Sequence, residues 1–217
     1  MLNCWHQIDY EEKKGEFKMK KKILMLLLVV FCVVMTACSG AAYTPGTFTD
    51  AGYETEFLGF RFNTPDGFSL ATHEELDQLM GVSMDSLSES GDITEAQAKY
   101  AQLTSIYEMM VTDSMGVTNA NIILEKSVIP INTYIEVLKE QLQTISAMNV
   151  TFTGEEEVQL AGATYTKVSA DVESNGISMY QEYYIRKVEG YIMCLTLTWA
   201  DGFETQKDAI MNAFAAY

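Results

Sequence analysis

The sequence predicts an α+β domain, a mainly antiparallel β-sheet flanked by helices on both faces. Three observations carry this. Beyond residue 158, apolar-alternating runs are joined by the turn signals Asn175-Gly176 and Glu189-Gly190, and tight turns of this kind link antiparallel strands. Upstream, Ile135, Leu138, Leu142 and Ile145 recur at three and four residues, the stripe of a core-facing helix. The later strands carry apolar or aromatic residues on both faces, which calls for cover on both sides.

Residues 1–18 (MLNCWHQIDYEEKKGEFK) are of mixed charge and lack apolar periodicity. Lysine codons followed by those of Gly15-Glu16 can spell a purine-rich ribosome-binding sequence just upstream of the Met19 codon. These residues read as a translated leader with Met19 as the true start, or else as an extended n-region. Residues 19–37 have a basic start (Lys20, Lys21, Lys22) and an apolar run from Ile23 to Val34, the parts of a secretory signal. The run is too short to span a bilayer comfortably, which takes about 20 residues. Met35-Thr36-Ala37-Cys38 resembles a bacterial lipobox, with Met35 in place of the usual Leu. The resemblance implies cleavage before Cys38 and its diacylglyceryl modification. Residues 38–52, rich in Gly and Thr and carrying Pro45, read as the lipidated cysteine and a flexible tether.

A single domain is expected over residues 53–217. Leu58, Phe60 and Phe62 alternate with Gly59, Arg61 and Asn63 as a half-buried strand, and Pro65-Asp66-Gly67 makes a turn. Thr72 and Glu75 form a capping box that opens a short helix, with Gly81 as its stop. The Ser-rich residues 82–92 read as a loop. Ser86, Ser88, Ser90, Gly91, Asp92 and Ile93 echo part of an EF-hand loop, but hydroxyls replace carboxylates and Gln97 stands where a bidentate Glu belongs, so no calcium site is expected. Thr94 and Gln97 then cap a helix running to about Val111, with Ala98, Leu103, Ile106, Tyr107 and Met110 on its apolar face. Residues 119–126 form a strand, and Asn132 or Thr133 caps the helix after Pro130. In the meander, Thr166, Val168, Ala170 and Val172 share one face, as do Tyr191, Met193, Leu195, Leu197 and Trp199. Asp201 with Glu204 caps a last helix, from which Phe203, Ile210 and Phe214 look inward.

The stretch GFRFNTPDGFSL, with the order of elements after it, resembles the opening strand and turn of PsbP-like domains. That family's antiparallel sheet lies between helices, and many Gram-positive lipoproteins of unassigned role look like its members. No functional residue of the family is matched here.

Composition narrows the functions. Six of the 14 Lys+Arg and four of the 30 Asp+Glu precede residue 39, leaving 8 basic against 26 acidic residues, formally −18. Such a surface repels nucleic acid. Cys4 and Cys32 fall in the leader and signal and Cys38 takes the lipid, so Cys194 is the one thiol of the mature domain and no internal disulfide can form. It lies in a strand-like run and reads as a small buried apolar residue. His73 is the one mature histidine, too few for a relay or a metal cluster of the usual kind, and reads as the first residue of a capped helix. Glu155, Glu156 and Glu157 read as a solvated turn or strand edge. The mature tyrosines leave one opening: Tyr180 and Tyr184 share a strand face with Glu182 and Arg186, and Tyr183 lies opposite. Either set suits a groove for a sugar or peptide, or both pack beneath helices.

The expectation is a non-enzymatic lipoprotein of the cell envelope, without cofactor or metal. It is held on the extracytoplasmic face of the cell membrane through Cys38 and binds a protein partner or assists a membrane complex. The alternative is an extracytoplasmic module for a small molecule or cation, with Tyr180, Tyr183 and Tyr184 as ligand-binding candidates.

Overall fold

The computed structural model describes residues 42–174 and 176–217; the leader, the signal, Cys38 and Asn175 lie outside them. Eleven strands and four helices follow in the described residues. They are β1 (Thr47–Thr49), β2 (Gly52–Thr55), β3 (Phe60–Asn63), β4 (Phe68–Leu70), α1 (His73–Ser90), α2 (Glu95–Thr104), β5 (Ser105–Asp113) and β6 (Asn119–Lys126). The chain continues through α3 (Ile131–Thr144), β7 (Asn149–Leu160), β8 (Ala163–Ser174), β9 (Ile177–Val188), β10 (Tyr191–Trp199), α4 (Glu204–Asn212) and β11 (Phe214–Ala216).

The expected α+β class is what the chain adopts. A seven-stranded antiparallel sheet runs β4-β5-β6-β10-β9-β8-β7. One face carries Val150, Val168, Ala170, Val172, Tyr183, Ile185, Ile192 and Cys194, packed with Met84 and Leu87 of α1, Ala98 and Ala101 of α2, and Tyr134, Leu138 and Leu142 of α3. The opposite face carries Met109, Ile122, Leu124, Tyr184, Met193, Leu195 and Leu197. Ile210 of α4 covers part of it, and the rest is covered by a second sheet of four strands, β1-β2-β3-β11. Helices thus lie on both faces, but the second face is shared with a small sheet that the sequence reading lacks. That sheet closes when Phe214 pairs with Phe62, a contact between segments far apart in sequence that no local pattern announces.

Four local expectations change. The capping box at Thr72 and Glu75 forms, but α1 continues through Gly81 and the Ser-rich stretch to stop at Gly91, whose φ of 80° is left-handed. The Ser residues of the EF-hand echo are therefore helical. α2 opens on the expected Thr94–Gln97 box and stops at Thr104, and residues 105–113 form a strand. Ile, Tyr, Val and Thr are strand formers, and Leu103, assigned to the buried stripe, is 78% exposed. Pro130, not Asn132 or Thr133, is the N-cap of α3, and Phe203 that of α4; neither makes a side-chain cap bond. The stretch read as a tether is folded from Tyr43 onward, because β1 and β2 pair and Tyr43 packs on Phe57 and Tyr191.

The acidic triplet lies on edge strand β7, where Glu155 pairs with Lys139 and Glu156 with Lys167, both at 2.7 Å. The Glu189-Gly190 turn has φ of 46° and 87°, the left-handed pair a two-residue hairpin needs.

Gly81 separates the two readings of α1. No atom lies within 4 Å of a Cβ built there. Inside a helix, Gly81→Ala stabilises by about 0.5–1 kcal/mol; a helix-ending glycine would give a loss. Chemical denaturation at unchanged slope decides between them.

Candidate functional site

The three candidate tyrosines do not converge. Tyr183 is buried on the helix-covered face, where its hydroxyl donates to Gln181 Oε1. Tyr184 is buried on the opposite face and donates to Glu182 Oε2 at 2.7 Å. Tyr180 sits near the far end of β9, donating to Asp201 Oδ1 at 2.7 Å, with its ring 5.5 Å from Trp199. Among the described residues, open clefts of about 380 Å³ lie beside Ser146, Asn149 and Ser178 and beside Thr44, Glu54, Phe57 and Tyr217. Neither borders a candidate tyrosine.

Two buried polar constellations emerge instead. The first follows from strand register. Thr112, Asn119, Thr198 and Gln181 stand side by side across β5, β6, β10 and β9, and Met110, Asn121, Thr196 and Tyr183 form the next row. Asn119, Asn121, Gln181, Thr196 and Thr198 are at most 3% exposed. Gln181 Nε2 donates to Thr198 Oγ1 at 3.2 Å. Among the described residues the Asn119 amide has no partner at either end. A buried amide without partners costs about 1–3 kcal/mol, so this row is the place on the sheet where a polar ligand would gain most.

The second centres on Glu108. Its neighbours Tyr107 and Met109 pair with consecutive residues of β6, Ile123 and Ile122, so Glu108 is the extra residue of a β-bulge, and a bulge re-aims a side chain. The carboxylate is fully buried. It accepts from the Tyr43 hydroxyl and, at 3.2 Å, from the Gly46 amide. The Tyr53 hydroxyl is buried close to the same carboxylate. Burial, then the nearby Glu108 carboxylate, pushes both phenols well above their ordinary range. The helix expected through residue 111 hid this clasp, and no sequence motif marks it.

The reactive groups are occupied structurally. Burial pushes the Cys194 thiol up to about 12, against a small downward pull from Thr196, so it stays protonated at neutral pH. His73 opens α1 with its ring 5.1 Å from that of Phe48. Among the described residues no group of three or more His, Cys, Asp or Glu is placed to hold a metal ion, and no helix is long and apolar enough to cross a membrane.

No protein-family model and no curated protein matches the sequence. Solved structures are similar to it in part. The solution structure of cyanobacterial PsbP from Synechocystis sp. PCC 6803 is 13% identical, with 84% of this chain and 99% of that one covered at a TM-score of 0.45. LpqN of Mycobacterium tuberculosis, described as involved in cell envelope biogenesis, is 12% identical, with 72% and 82% covered at a TM-score of 0.38. A Pseudomonas aeruginosa protein of unknown function is 10% identical, with 42% and 66% covered at 0.34. The α+β assignment rests on the chain's own strand order.

The Cys194 thiol makes stability depend on pH. A folded-state value above the unfolded one means the native chain holds a proton that the unfolded chain releases. Its stabilisation is full below about pH 8.5 and falls above it, by at most about 1.4 kcal/mol per pH unit. Urea midpoints between pH 8 and 10 decline in the parent, and Cys194→Ala flattens the decline; an equal slope in both would contradict the assignment.

Proposed function

We propose that the chain is a non-catalytic lipoprotein of the cell envelope, anchored through a lipid on Cys38, which binds a protein partner on the extracytoplasmic face of the membrane. The observation that carries partner binding is on the α1–α2 hairpin. Val82 is 53% and Leu103 is 78% exposed, although each helix has an apolar face already buried against the sheet. Exposed apolar side chains that join into one contiguous patch mark an interaction surface, and we take Val82 and Leu103 as parts of one such patch. The anchor is supported by the lipobox-like Met35-Thr36-Ala37-Cys38, which ends five residues before Tyr43, whose hydroxyl is held by Glu108.

One observation favours a second reading, a module for a small polar molecule: the Asn119 amide, buried and unpartnered among the described residues, in its row of polar side chains.

The two readings separate experimentally. Val82→Asp with Leu103→Asp leaves the melting temperature near that of the parent, since exposed substitutions stay within about 0.5 kcal/mol. The pair removes crosslinks formed in the native membrane by a photoreactive group at position 99; crosslinks that survive both changes count against the hairpin. A thermal-shift screen of sugars, peptides and metabolites tests the second reading. A ligand at 100 times its dissociation constant adds about 2.7 kcal/mol, and Asn119→Ala abolishes the shift if the polar row is its site.

A further inference from the structure

We propose that the domain stands on the bilayer in a fixed orientation, with the Glu189-Gly190 turn end of its main sheet against the headgroups. The proposal rests on lipidation at Cys38. From Cys38 to Tyr43 there are five residue steps, which span at most about 17 Å when extended. Tyr43 is not free to lengthen that reach. Its hydroxyl is held by buried Glu108, its ring meets Phe57 edge-on at 5.5 Å and lies 6.2 Å from Tyr191, and the Glu108 carboxylate also holds the Gly46 amide. The chain is thus gripped close to the anchor, at one end of the sheet.

That end is suited to headgroups. Tyr43, Phe57 and Tyr191 form a partly exposed aromatic cluster, and amphipathic rings favour the membrane–water interface. Lys126 pairs with Tyr191 across the sheet, Lys187 reaches the Val128 carbonyl and Arg186 donates to the Leu58 carbonyl, so three of the eight mature basic residues lie at this end. Set against Glu56, Glu125, Glu189 and the buried Glu108, they make this end less acidic than the rest of a chain whose mature part carries −18. A charged bilayer repels the acidic remainder and tolerates this end.

Strand β9 supplies a ruler. Ser178 and Lys187 are both exposed and lie nine residues apart, about 30 Å along a strand. The test uses the full chain, processed in a bacterial host and reconstituted in vesicles of phosphatidylcholine with anionic phosphatidylglycerol that carry a quencher on the headgroup. Ser178→Cys or Lys187→Cys takes a fluorophore, because native Cys194 is buried. Flotation with the vesicles, and quenching several-fold stronger at 187 than at 178, is the expected result. Equal quenching, or the reverse order, overturns the orientation and leaves the anchor standing. Failure to float overturns lipidation, and the orientation falls with it. A 12-residue Gly/Ser insertion between Gly40 and Ala41 leaves the fold untouched and adds roughly 20 Å of reach, so the contrast collapses; a contrast that persists overturns the role given to the short gripped tether.

Discussion

Strand β10 has to be buried on both sides, and most of the architecture follows. Ile192, Cys194, Thr196 and Thr198 point to the helical layer; Met193, Leu195 and Leu197 point to the small sheet and α4. None of these seven is more than 3% exposed. A strand apolar on both faces is stable only between two covering layers. The hairpins at its flanks, the α1–α2 pair, α3, and the closure of the second sheet by β11 are the cover it requires.

Much of this was legible. Periods of two and of three to four marked the meander and α3, the run at residues 119–126 read as the strand it forms, and the capping boxes at Thr72 and Thr94 opened the helices they signalled. What could not be read depends on partners distant in sequence. Gly81 carries a stop signal that a helix overrides when Leu76, Met84 and Leu87 all have a core to enter. Residues 105–113 satisfy a helical period in Ile106, Tyr107 and Met110, yet central β6 offers backbone bonds and apolar neighbours that settle them as a strand. β11 has three residues, too short to show any period. Of the candidate site residues, Tyr183 and Tyr184 alternate in sequence and so were bound to face opposite layers. Asn119, Thr198 and Gln181 are far apart in the chain, and only strand register brings them side by side.

Glu108 shows how a local irregularity has long reach. In regular pairing its side chain would follow the alternation of β5. The extra residue turns it toward the N-terminal segment, where Tyr43 and Gly46 satisfy its oxygens. Removing a carboxylate from water is expensive by several kcal/mol unless hydrogen bonds replace its hydration, so the segment and the bulge hold each other in place. Tyr43 lies 65 residues from Glu108 in sequence, and the contact ties the segment before β1 to the second strand of the main sheet.

Edge strand β7 is twelve residues long, with one side free of strand neighbours in the sheet order. A bare edge of that length is a template on which another chain can zip up. Here the strand is mostly exposed and carries Glu155, Glu156 and Glu157 in succession, of which Glu155 and Glu156 are matched by lysines of the same molecule. A second copy laid along this border would bring its own glutamates against these, with the compensating lysines already engaged. That repulsion disfavours edge-to-edge pairing of two copies along β7.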